Sequence, residues 1–162
     1  MDVYLVQHAE AKPEQEDPAR PLTDRGREEI RLVARHAAAI GLQVPEIRHS
    51  GKLRAQQTAE ILAQFLSPPR GIRGMKGLAP MDDPAEAKAE LEAAQEPLML
   101  VGHLPHLSRL ASSLLVGDPG KEVIRFRMGA IVCLSKTEGG WVVKWILTPE
   151  LAKGGAWKKR GS

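Results

Sequence analysis

A single cysteine, Cys133, excludes an intramolecular disulfide and a zinc site built from several thiolates. It stands in the apolar run Ala130-Ile131-Val132-Cys133-Leu134, so the thiol is expected to be a small core residue rather than a nucleophile. Aromatic residues are scarce. Three Trp, two Phe and one Tyr leave no platform on which bases could stack. The net charge of +3 is small, and its basic excess collects in Lys153, Lys158, Lys159 and Arg160 rather than in a stripe through the body. Nucleic acid is therefore not an expected partner. The chain has no run of 18 apolar residues, and it opens on a strand-like segment instead of a charged and then apolar leader. The expectation is a cytoplasmic protein with no signal peptide and no membrane contact.

What is present fits one soluble domain. Of 162 residues, 43% are apolar and 27% charged, enough to bury a core without disulfides or metals. The reading is a single domain over 1–150, followed by a basic and flexible tail over 151–162. Val3–Val6 and Leu98–Val101 are short apolar runs of the kind that form strands buried on both faces, and 44–49 is a third strand. Between them, apolar residues recur at helical spacing: Ile30, Val33, Ala34, Ala37 and Ile40 after a Thr23 cap, then Leu53, Ala55, Ala59, Leu62 and Leu66 after a Ser50 cap. The proline- and glycine-rich stretch 67–84 reads as an irregular connection with a short strand near 72–78. Helices are expected over 84–94 and 105–115. Two strands, about 123–135 and 141–147, flank the turn Thr137-Glu138-Gly139-Gly140. This order predicts an α/β three-layer sandwich: a mostly parallel central sheet with helices on both faces and an antiparallel edge hairpin at the C-terminal end.

Ligands of open α/β sheets bind beyond the carboxyl ends of the strands. Gln7 and His8 follow the first strand, Ser50 to Arg54 follow the second, and Gly102 and His103 follow the third. Helix starts at that edge add free N–H groups and a positive dipole end, which suit an anion. Two imidazoles, a guanidinium and amide donors can perform phosphoryl transfer without a metal: one histidine attacks phosphorus, the arginine clamps oxygens and the other histidine stabilises developing charge. No carboxylate or further histidine stands at a tight ligand spacing to His8 and His103, so neither a metal nor another cofactor is expected. His106, one turn beyond His103, can line the pocket, whereas His36 and His49 read as structural or solvent-facing.

The segments VYLVQHAEAK, RPLTDRG, SGKLRAQQTAEIL and LMLVGHLPHLSRLA, in this order and with these gaps, resemble the histidine phosphatase superfamily, and within it the short SixA-type phosphohistidine phosphatases. The resemblance implies a ping-pong phosphatase in which His8 carries the phosphoryl group, Arg54 binds its oxygens and His103 stabilises it. It also implies a structural part for Thr23, as a cap and a brace of the pocket. Two departures stand out. The family motif begins Arg-His-Gly, and here it reads Gln7-His8-Ala9. Gln7 keeps hydrogen-bond donors for phosphate but loses the charge, which Lys52, or Arg20 and Lys12 on the adjoining loop, can restore. Larger members also carry an acid for the leaving oxygen, and the candidates here, Asp82 and Asp83, read better as the start of a helix.

The sequence thus points to an enzyme that removes the phosphoryl group from phosphohistidine on a partner protein and releases inorganic phosphate. Two alternatives stay open: a non-catalytic phosphate or phosphoprotein binder, left by loss of the arginine at position 7, and a phosphatase of small phosphomonoesters.

Overall fold

The computed structural model describes residues 1–154. Its strands are β1 (Asp2–Gln7), β2 (Ile47–His49), β3 (Ile72–Gly74), β4 (Leu98–Gly102), β5 (Ile131–Thr137) and β6 (Gly140–Leu147). Its helices are α1 (Asp24–Ala39), α2 (Leu53–Leu66), α3 (Pro84–Ala93), α4 (His106–Val116) and α5 (Pro149–Ala152). The strands form one sheet in the order β3-β2-β4-β1-β5-β6. The first four run parallel, β5 runs antiparallel to β1, and β6 runs antiparallel to β5. The expected α/β sandwich is therefore the observed fold.

Alternation along the strands divides the core. Tyr4, Val6, Met99, Val101, Ile131 and Cys133 point to the face covered by α1 and α2. Val3, Leu5, Leu98, Leu100, Val132 and Leu134 point to the face covered by α3 and α4. Both faces being buried explains why β1 and β4 read as continuous apolar runs rather than alternating ones. Burial holds the Cys133 thiol up at about 11, consistent with an inert core residue.

Capping follows the sequence at two helices. Thr23 Oγ1 accepts from Gly26 N at 2.9 Å, and Asp83 Oδ1 accepts from Ala85 N at 2.9 Å. Thr23 also donates to Glu10 Oε1 at 2.8 Å, which ties the loop after His8 to α1. Gly26 is required there, because a Cβ would sit 2.2 Å from the Glu10 carbonyl oxygen.

The structure corrects three boundaries. The second strand is only Ile47–His49. α2 begins at Leu53 with Lys52 as its cap residue, and Ser50 lies outside it. The expected strand from 123 starts only at Ile131. Residues 123–130 leave the sheet because a turn at 127–130, with Ala130 N on Arg127 O and Gly129 at φ 78°, breaks the extended run, although Ile124 and Phe126 are still buried. Residues 149–152 continue the fold as α5, and Arg127 joins Glu29 of α1 to Glu150 of α5. The rest of the expected flexible tail, from 155 on, lies outside the described residues.

Candidate active site

Strand register creates the site. β1 and β4 pair with Gln7 opposite Gly102, so the next residue of each chain segment, His8 and His103, emerges beside the other. The backbone continues this pairing, with His8 N donating to Gly102 O at 3.0 Å. The two rings stand with centroids 5.0 Å apart, tilted by 53°. On the other side of β4, His49 pairs with Val101, which brings Ser50 alongside His103; Ser50 Oγ is 2.6 Å from His103 Nε2.

The orientation of His8 follows from one contact. Its Nδ1 is 2.7 Å from Ala9 O, and a carbonyl oxygen only accepts, so Nδ1 carries the proton and Nε2 keeps its lone pair. Ala9 N in turn donates to Thr58 Oγ1 at 3.0 Å, and Thr58 donates to Arg54 O at 2.7 Å. Thr58 thus fastens the loop after His8 to the helix that carries Arg54. The one sequence signal for Thr58 is its position four residues after Arg54, on the same helix face.

Arg54, in the first turn of α2, has a buried Nε with no hydrogen-bond partner. Arg20 adds a second charge. It adopts a left-handed backbone, φ 52°, unusual for a side chain of its kind. Its N donates to Asp17 O and its Nε to Lys12 O at 3.0 Å, while Ala11 bridges Leu22 behind it. Among the described residues, neither arginine forms a salt bridge. Burial and, after it, the Arg20 charge lower the Arg54 pKa. Two guanidiniums whose charges bear on one another, neither held by a carboxylate among the described residues, suit an anion. Lys52 is exposed, but its charge reaches His103. Lys12 contributes its carbonyl, as an anchor for Arg20. Gln7 is buried at the end of β1, and its amide oxygen is without a partner.

Burial pushes the His8 pKa down to about 4, helped by Arg54 and Arg20. Burial, then His8, Arg54 and Lys52, push His103 down to about 3. Both rings are therefore neutral at pH 7. The same shifts fix a pH dependence. Each folded pKa lies below the unfolded value near 6.5, so the contribution to stability is complete above pH 6.5 and is lost as pH falls toward 4. Between pH 7 and pH 5 each histidine is expected to account for about 2 kcal/mol of lost stability. Urea midpoints at the two pH values measure this, and the His8→Asn/His103→Asn protein should lose much of the difference. An unchanged difference would show that these rings titrate normally.

The remaining expected residues fall outside the pair. His106 is fully buried, so it does not line an open pocket. His49 is buried, and its Nδ1 accepts from Gly51 N at 3.0 Å. Asp82 accepts from Ala79 N at 3.0 Å, closing its own loop, and Asp83 caps α3. An open groove of ≈ 610 Å³ is lined by Met75, Lys76, Asp82, Asp83 and Glu86; Ser50 alone links it to His103, and neither histidine lines it.

The chain is similar to known proteins over most of its length. Residues 3–82 match the sequence profile of the histidine phosphatase superfamily (branch 1). An uncharacterized protein of Picosynechococcus sp. is 34% identical, over 91% of this chain and 99% of its own. Phosphohistidine phosphatase SixA of Escherichia coli is 28% identical, over 92% and 94%. The solved structure of the protein histidine phosphatase SixA complexed with tungstate superposes with a TM-score of 0.81 at 28% identity, over 93% of this chain and 99% of that one. Sequence profile, full-length relatives and fold converge, and the chain belongs to the histidine phosphatase superfamily, branch 1.

Proposed function

We propose that this protein removes the phosphoryl group from phosphohistidine on another protein. The substrate's phosphoimidazole takes a proton from solvent at its other nitrogen; the lone pair on His8 Nε2 then attacks phosphorus, the P–N bond of the substrate breaks, and its imidazole leaves as the neutral ring. Water then attacks the phosphoryl group on His8, which releases inorganic phosphate and restores the neutral ring. Arg54 and Arg20 hold the oxygens, and His103 donates a hydrogen bond that strengthens as charge develops.

One observation carries the choice of substrate. On the candidate acids, Asp82 Oδ2 and Asp83 Oδ1 each accept a backbone N–H that shapes their own loop and helix, and the two residues line the groove rather than the pair of histidines. An alkoxide leaving group depends on a positioned acid for roughly 10²–10⁴-fold of its rate. Imidazole protonates near pH 6.5 and leaves without that help. The open groove beside Ser50 also leaves space for chain flanking the phosphorylated residue.

The superfamily also includes phosphatases of small molecules, so the comparison of substrates is the decisive experiment. The purified protein should dephosphorylate a phosphohistidine peptide with a kcat/KM at least about 10²-fold above that for p-nitrophenyl phosphate. Faster turnover of the aryl ester would favour a phosphomonoesterase. Vanadate binding without turnover of either would favour a binding protein, the reading that Gln7 motivates.

A further inference from the structure

Ser50 reads in the sequence as a helix cap, but its hydroxyl is committed elsewhere. It accepts the Lys52 N–H at 3.3 Å and lies 2.6 Å from His103 Nε2. His103 is 2% exposed, and its other nitrogen, Nδ1, is buried without a protein partner. A neutral imidazole has one proton for two nitrogens, and a hydroxyl can serve either arrangement: it donates to a bare Nε2 or accepts from Nε2–H.

The surroundings distinguish the two. If Nε2 held the proton, Nδ1 would offer a lone pair in the surroundings of the His8 ring, 5.0 Å away between centroids, where the oxygens of a phosphoryl group on His8 are acceptors only. Two sets of lone pairs would then face each other. If the hydroxyl donates to Nε2, Nδ1 carries the proton and becomes a donor. We propose that Ser50 is a positioning residue: its hydroxyl donates to His103 Nε2, fixes the Nδ1–H tautomer and so directs a hydrogen bond at the phosphoryl group. This role presupposes phosphoryl transfer at His8.

A hydroxyl has a further advantage over a carbonyl or a carboxylate. When the ring takes up a second proton from solvent, favoured by the charge of the phosphoryl dianion, Nε2–H forms, and Ser50 turns from donor to acceptor without losing contact. His103 can thus change protonation during the reaction while its position is kept.

The test is the ¹⁵N spectrum of the His103 imidazole in the full-length protein, free and with vanadate. The expected pattern is a protonated Nδ1 and an unprotonated, hydrogen-bonded Nε2 in the free protein. Ser50→Ala should mix the two tautomers and lower kcat by roughly 10–10²-fold with KM within about twofold. Ser50→Thr, which keeps the hydroxyl, should retain both the tautomer and most of the rate. A wild-type spectrum with the proton on Nε2 would overturn the proposal, as would a folded Ser50→Ala protein with unchanged tautomer and rate. A protein that turns over no phosphorylated substrate defeats the phosphatase reading instead, and the wild-type spectrum still decides the role of Ser50.

Discussion

The His8→Ala protein is expected to release no phosphate from phosphohistidine and to acquire no acid-labile label, a loss of at least roughly 10³-fold. The size of the effect follows from the absence of a substitute. Nε2 of His8 is the lone pair left free by the Nδ1–H contact to Ala9 O, whereas His103 Nε2 is occupied by Ser50. Water attacking directly would have the same arginines but no covalent intermediate. The fold should survive, because β1 is held by its pairing with β4 and β5 and by the Thr58 contact to Ala9 N, none of which uses the ring. Circular dichroism and urea unfolding check this. Acid-labile label on the His8→Ala protein would place the nucleophile elsewhere.

Removing a guanidinium should have the second largest effect. Arg54→Ala is expected to weaken vanadate binding by at least tenfold, since a charged hydrogen bond contributes about 1.5–3 kcal/mol and the buried Nε has no protein partner to release. Position 7 refines the experiment. Gln7→Arg should tighten vanadate binding if the buried site has room for the longer side chain. Arg20→Ala and Lys52→Ala should each weaken it, and each should matter less once Arg stands at position 7, because the charges then act on one anion. Arg20 should show the larger coupling, as its charge bears on both His8 and Arg54, whereas Lys52 is exposed and screened. Additive effects would mean that neither cation compensates for Gln7. Unchanged vanadate inhibition in Arg54→Ala would show that this arginine faces away from the anion.

Much of this site was readable before the fold, for identifiable reasons. His8 and His103 each follow an apolar run long enough for one buried strand, and the ends of such strands are where α/β sheets bind ligands. Arg54 stood out through the motif around it, since a lone arginine at a helix start carries little information. Thr23 and Asp83 were legible as caps because capping is local. Ser50 shows the limit of that rule. It has the right residue type next to a helix, yet its hydroxyl is taken by a histidine 53 residues away. The strand expected at 123 failed in a related way. The residues favour extended backbone, but a strand also needs a neighbour, and the turn at 127–130 removes this segment from the sheet.

The sequence by itself determined the element order, the two-sided burial of β1 and β4, the inert place of Cys133 and which side chains stand at the carboxyl ends of the strands. These follow from local patterns, in which period, punctuation and residue type are sufficient. Only the tertiary structure decided that β1 lies beside β4 in a register opposing Gln7 to Gly102, and β2 beside β4 in a register opposing His49 to Val101. Those two pairings bring His8, His103 and Ser50 together, and the loop tied at Ala11–Leu22 brings Arg20 toward Arg54. The physical reason is that pairing between distant segments is selected by burial of the whole sheet against four helices. No single segment holds that information, and a shift of one residue in either register would turn these side chains to opposite faces.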